Sequence, residues 1–167
     1  MTRFRLLVEY DGGPYVGWQR QENGASIQQA LEKAVFAFCG ERVATTGAGR
    51  TDAGVHALGQ VVHLDIVRQC RAETLRDAVN FHLKPQPIAV LAAAEAGPDF
   101  HARFSAIDRR YLYRVLNRRA PPVLERGRPG GSRFLSMRRP CRKRPSVWWD
   151  ATTSRASAPP SARRPRR

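Results

Sequence analysis

Apolar residues at alternate positions open the chain. Phe4, Leu6, Val8 and Tyr10 fall on one face of a period-two strand, which Gly12-Gly13-Pro14 then breaks. The period changes after Ser26-Ile27-Gln28-Gln29. That tetrad opens a helix as a capping box, with a serine to bond a free helix N–H and a glutamine three residues on to reach back. Ile27, Ala30, Leu31, Ala34, Val35 and Phe38 follow at helical spacing, and Gly40 suits the stop. Val43–Ala48 reads as a short strand. Gly59–Val67 reads as a longer one, with Val62, Leu64 and Ile66 on one face. Leu75, Ala78, Val79 and Leu83 predict a helix over Glu73–Leu83, ended by Pro85 and Pro87. Ile88–Ala93 predicts a strand, and Arg110–Asn117 a further one with Tyr111, Tyr113 and Val115 on one face.

The resulting order, β-α-β-β-α-β with an additional strand, is an α+β plan of the ferredoxin-like type: an antiparallel sheet with two helices on one face. The uncovered face of such a sheet often serves as an RNA platform, although a fold alone does not give a function. No repeat of 20–50 residues is present.

The pattern fails near Arg128. Of the 29 Lys and Arg residues, twelve lie in 128–167, against the single acid Asp150, so +11 of the net charge of +15 sits there, with six of the twelve prolines. Arg138-Arg139-Pro140-Cys141-Arg142-Lys143-Arg144-Pro145 has no apolar period and two breakers. Such a segment cannot bury enough surface to offset its ordering entropy, so a disordered basic tail is expected over 128–167, behind an α/β domain over 1–127. With 167 residues, the chain is long enough for one domain with a real core.

Composition narrows the setting. No apolar run approaches the ~20 residues of a membrane span, and the first residues hold too short an apolar stretch for a signal peptide. Cys39, Cys70 and Cys141 are an odd number without a CxxC pair, which argues against a disulfide framework or structural zinc and for a reducing cytoplasm. His56, His63, His82 and His101 are scattered without metal-ligand spacing, and His63, alternating with apolar residues, reads as a packed or surface histidine.

The densest polar cluster is Gly47-Ala48-Gly49-Arg50-Thr51-Asp52-Ala53-Gly54-Val55-His56-Ala57, between two expected strands. Its glycines let the backbone approach a ligand. A guanidinium two residues from Asp52 favours a carboxylate over a carboxylic acid, which suits a nucleophile or base better than a proton donor. By composition alone a polar turn accounts for the cluster more readily than a site, since Asp and Gly are common in turns. It is neither a dinucleotide fingerprint nor a P-loop, and no second carboxylate lies near for a glycosidase-like pair. Phe100-His101-Ala102-Arg103-Phe104-Ser105-Ala106 and Arg109-Arg110-Tyr111-Leu112-Tyr113 mix aromatics with arginines. Aromatics stack on unpaired bases and arginines bind phosphate; core aromatics beside a solvated arginine face fit equally well.

Four blocks in order carry a more specific signal. They are Tyr10-Asp11-Gly12-Gly13-Pro14-Tyr15-Val16-Gly17-Trp18-Gln19-Arg20-Gln21, Gly49-Arg50-Thr51-Asp52-Ala53-Gly54-Val55-His56-Ala57, Asp99–Ala106 and Arg109–Tyr113. From Arg3 to about Arg128 the chain resembles the tRNA pseudouridine synthase A family. The resemblance implies a cofactor-free, cytoplasmic, homodimeric isomerase that converts uridine to pseudouridine in the anticodon stem-loop of tRNA. Asp52 matches the family's catalytic aspartate. Arg50 matches an arginine that holds the aspartate or fills the gap left by the extruded nucleotide, and Tyr111 the tyrosine that packs on the target base. His56 and Arg103 lie in matching motifs and are expected to contact RNA. The other class of function consistent with the sequence is a non-catalytic RNA-binding module using the sheet and the basic tail.

The family continues into a second α/β half, where this chain turns into the basic segment. Trp148-Trp149-Asp150 requires TGG TGG GAY, and reading one base earlier forces GTG GGA, Val-Gly. With free choice of the first base in most other shifted codons, the segments from Pro129 onward and over Val147–Pro159 translate into family-like sequence, including an amphipathic helix. The expectation is that one base was lost near the Arg128 codon, and that the 167-residue chain turns over poorly or not at all.

Overall fold

The computed structural model describes residues 1–113. The remainder of the chain, including the expected basic tail and residues 114–117 of the last expected strand, lies outside the described residues. Met1–Ile107 form one compact unit, and Asp108 begins a second.

The elements of the first unit run β1 (Thr2–Tyr10), α1 (Ile27–Cys39), β2 (Thr46–Gly47), β3 (Ala57–Ile66), α2 (Ala72–Leu83) and β4 (Ile88–Glu95). The strands form one sheet in the order β2-β3-β1-β4 with antiparallel pairings throughout. This is the expected α+β architecture. Phe4, Leu6, Val8 and Tyr10 of β1 and Val62, Leu64 and Ile66 of β3 are all buried, in one core with Ile27, Leu31 and Val35 of α1 and Leu75, Val79 and Leu83 of α2. Each such side chain contributes about 1.5–3 kcal/mol when fully buried, so the alternating and helical periods together fix which sheet face carries the helices.

Local chemistry sets the element ends. Ser26 has extended backbone angles and its side chain accepts the Gln29 N–H at 3.2 Å, as the capping motif requires. Gly40 closes α1 in the left-handed region, its N–H bonded to the Phe36 carbonyl at 2.7 Å. Asn80 of α2 reaches the edge strand β4, donating to the Val90 carbonyl at 2.9 Å and accepting its N–H at 2.7 Å. The side chain thus satisfies backbone groups that an edge strand would otherwise leave open.

Two expectations change. The strand foreseen over Val43–Ala48 shrinks to Thr46–Gly47. Its preceding residue is claimed by α1: the Thr45 N–H donates to Glu32 at 3.0 Å, and Gln28 donates to the Thr45 carbonyl at 2.9 Å. Side chains from a helix have replaced the ladder there. The strand foreseen over Arg110–Asn117 is not present over 110–113, where the backbone is neither strand nor helix. The Arg110 Nε instead meets Asp108 Oδ2 at 2.9 Å.

The sheet face opposite the helices is partly covered by the segment after β4. Arg3 forms a two-pronged pair with Asp65, both contacts at 2.7 Å, and donates to the Pro98 and Phe100 carbonyls. Beside this pair His63 is buried, and its Nδ1 accepts the Ala102 N–H at 3.1 Å. His63 is therefore a packed histidine, with its titration pushed down by burial first and by His101 and Arg3 next.

Candidate active site

Gly47–Ala57 links β2 to β3, and the site is built where this loop meets the loop between β1 and α1. The two antiparallel neighbours β1 and β3 end side by side, with Tyr10 opposite Ala57 and a register shift just before it. The chain leaving β1 and the chain entering β3 are therefore forced together at the same end of this central strand pair.

Backbone bonds join the two loops. The Trp18 N–H donates to the Thr51 carbonyl at 2.9 Å, and the Gly54 N–H to the Tyr15 carbonyl at 3.3 Å. The Tyr10 and Thr51 hydroxyls share a hydrogen bond of 2.9 Å. Contact is close enough to require glycine on one side. A Cβ at Gly12 would lie 2.1 Å from the Val55 carbonyl oxygen. Gly17 has φ of 120°, and a Cβ there would lie 2.7 Å from the Thr51 oxygen and 3.3 Å from the Asp52 carbonyl carbon. Gly47 makes room for the Trp18 ring, which would lie 2.9 Å from a Cβ at that position, so that glycine serves packing within the fold.

On this base the loop turns tightly, with the Val55 N–H donating to the Asp52 carbonyl at 3.1 Å and Gly54 at φ 78°. Asp52 and Arg50 are both exposed at the surface of the turn. No ion pair joins their side chains among the described residues. Proximity in sequence has placed the two groups on one loop without locking them together, so both are accessible to a ligand.

His56 behaves differently. Its Nδ1 lies 2.9 Å from Asp11 Oδ1 and 3.2 Å from the Gly12 nitrogen. Nδ1 therefore faces a backbone donor and a carboxylate at once: bare it accepts the Gly12 N–H, and carrying a proton it would donate to Asp11. Asp11 Oδ1 also accepts the Gly13 N–H at 2.8 Å. His56 Nε2 is buried without a hydrogen-bond partner among the described residues.

Arg103 is exposed in the segment that packs over His63, on the sheet face away from the helices. There His101 lies 4.7 Å from the His63 ring and stacks on Phe104 at 4.4 Å, with Phe104 itself exposed. Tyr111 belongs to the second unit, where its side chain is exposed. The structure thus brings Arg50, Asp52 and His56 together on one loop and places Arg103 on another. It also gives a role that the sequence did not assign to Tyr10, Asp11, Gly12, Gly17 and Trp18, as the support of the Asp52 loop. Their joint appearance in one compact glycine- and aromatic-rich block was the available signal. Among the described residues no cluster of His, Cys, Asp and Glu is arranged to hold a metal ion, and no helix is long and apolar enough to cross a membrane.

A family model described as tRNA pseudouridine synthase matches residues 6–105. A tRNA pseudouridine synthase A of Rhodospirillum rubrum is 62% identical over 128 residues, which cover 77% of this chain and 46% of the relative. The protein of the same description from Rhodospirillum centenum is 59% identical, with 77% of this chain and 52% of the relative covered. That from Parvibaculum lavamentivorans is 56% identical over 127 residues, covering 76% and 52%. The chain spans about half the length of these curated relatives.

Proposed function

Because the chain belongs to the tRNA pseudouridine synthase family, we propose that it carries the aspartate-bearing half of an isomerase acting on uridines in the anticodon stem-loop of tRNA. The observation that carries this reading is the exposed Asp52, presented on a tight turn whose backbone is bonded to a second sequence block of the same matched region. The reaction needs no redox or group-transfer chemistry. The N1–C1′ bond of uridine breaks, the uracil turns, and C1′ is rejoined at C5. The C5 proton is then lost and N1 ends protonated, so reactant and product are isomers. A carboxylate serves either as a nucleophile or as a base that removes a sugar proton; in both cases it must be ionised and reachable.

The target nucleotide has to leave the stack, at a cost of roughly a few kcal/mol. Arg50, exposed beside Asp52, is suited to fill the vacated space or bind a phosphate. Tyr111 supplies a ring for the extruded base, and Arg103 a further phosphate contact. A homodimer and a cytoplasmic setting belong to the same proposal. So does the basic segment after Arg128 as an out-of-frame translation of the second half, with the match to the relatives spanning 128 of 167 residues.

The test uses a tRNA transcript tritiated at C5 of uridine, with tritium release as the readout. A chain with one base restored near the Arg128 codon is expected to release tritium, its Asp52→Ala variant to bind tRNA without release, and the 167-residue chain to release little or none. Failure of the restored chain, or turnover by the Asp52→Ala variant, overturns the reading. Binding without turnover in every form identifies an RNA-binding module instead. An intact coding sequence with no family-like alternative frame removes the frame proposal alone.

A further inference from the structure

His56 lies in the same loop as Asp52, yet its Nε2 is buried, and its Nδ1 lies 2.9 Å from Asp11 Oδ1 and accepts the Gly12 N–H at 3.2 Å. We propose that Asp11 and His56 form an anchoring pair that sets the position of Asp52, so that His56 is a positioning residue rather than a contact to RNA. The inference rests on the isomerase reading for its catalytic consequence, but not for its structural one.

The argument is geometric. Asp52 sits four residues before His56, and between them the turn is closed by the Val55-to-Asp52 hydrogen bond of 3.1 Å. Such a turn is rigid only if its exit is held. On the entry side Thr51 is held twice, by the Trp18 N–H and the Tyr10 hydroxyl. On the exit side the side-chain hold is the His56 ring, fixed to Asp11 at the end of β1. Asp11 is fixed in turn, since its N–H donates to the Pro87 carbonyl at 3.0 Å and its carboxylate accepts the Gly13 N–H. The clamp therefore runs from the α2–β4 connection through Asp11 and His56 to the Asp52 turn. The close contact of Gly12 with the Val55 carbonyl leaves no space for a bulkier support at the same place. Asp11 is half-exposed and His56 less so, as suits a strut beneath a loop whose working carboxylate faces outward.

The experiment compares Asp11→Ala, Asp11→Asn, His56→Ala, His56→Asn and His56→Gln. Asparagine at 11 keeps an oxygen acceptor. Asparagine at 56 places its amide nitrogen where Nδ1 stood, whereas glutamine places it nearer Nε2. In the 167-residue chain, amide exchange at Gly54 and Val55 is expected to accelerate about tenfold or more in the alanine variants, with core amides of β1 and β3 unchanged. The asparagine variants recover most of that protection, and His56→Gln recovers less than His56→Asn. In the frame-restored chain, kcat is expected to fall about ten- to hundredfold in the alanine variants while KM for tRNA stays within about twofold. Unchanged exchange at Gly54 and Val55, core amides loosening in step with the loop, or asparagine performing no better than alanine or glutamine overturns the proposal. So does a rise in KM at constant kcat, which would return His56 to the RNA contacts. Should the alanine variants fail to fold, the contrast between His56→Asn and His56→Gln decides. If the unsubstituted restored chain is inactive, the isomerase reading fails, and the exchange results alone decide the anchor.

Discussion

At Gly17 two separate constraints coincide: a backbone in the left-handed range and a carbonyl oxygen where a methyl group would go. At Gly40 only the first applies, since nothing lies within 4 Å of an added Cβ. The two positions therefore separate strain from crowding. Gly17→Ala is expected to cost about 1–3 kcal/mol in urea unfolding, with Gly40→Ala at the lower end of that range. Exchange at Thr51–Val55 should rise for Gly17→Ala alone, because only there does the backbone push on the Asp52 loop. His63 makes a different residue-scale prediction. Burial lowers its titration below the ordinary 6.5, so the folded state takes up the proton less readily than the unfolded chain. Its contribution to stability is full above about 6.5 and declines as pH falls through that value toward the folded one. Unfolding free energies measured from pH 7.5 to pH 5 should therefore fall less for His63→Phe than for the parent, whatever the offset between them at pH 7.5.

The elements show how far a side-chain period reaches. The helical spacing from Ile27 onward predicts α1, its buried face and both of its caps, because each depends on residues within a turn or two of each other. Ser26→Ala should cost about 1 kcal/mol of stability by thermal or urea unfolding, with α1 frayed at its first turn. The polar side of α1 was not legible in the same way. Gln28 and Glu32, one turn apart, bind the Thr45 backbone, and Glu32 also pairs with Arg20. One helix face thus holds the end of the first loop and the start of the strand that leads to Asp52. Nothing in a period of 3.6 says which backbone a glutamine and a glutamate will meet. That is why β2 is shorter than its β-branched and small residues suggested.

For the folded unit as a whole, the first strand and the segment after β4 are tied at Arg3. Its guanidinium pairs with Asp65 and holds the carbonyls of Pro98 and Phe100, residues more than ninety positions away. The Arg3 hydrogen bond holds the Asp65 carboxyl below its ordinary 3.8, so its contribution is present above about 3.8 and is lost as pH falls through the lower folded value. Arg3→Ala should release the segment that covers the sheet, raising exchange at the Ala102 amide, which otherwise donates to His63, while the amides of α1 stay protected. The segment carries Arg103 and the exposed Phe104, so the same substitution should weaken tRNA binding by severalfold in a filter-binding assay without abolishing it.

The amino-acid sequence by itself determined the order of the strands and helices from β1 to β4, the core-facing residues of β1, α1, β3 and α2, and the loop on which Asp52 and Arg50 stand. Those features follow from short-range periods and from the conformational preferences of serine, glycine and proline, which act over a few residues. Only the tertiary structure decided what supports that loop. Tyr10, Asp11, Gly17 and Trp18 meet Thr51–His56 because the end of β1 lies beside the start of its antiparallel neighbour β3, with about forty residues between them in the chain. The same long-range pairing set His56 beside the Asp11 carboxylate at the far end of that loop. Hydrogen bonds are satisfied by whichever donor the fold brings within reach, and no local pattern records that partner.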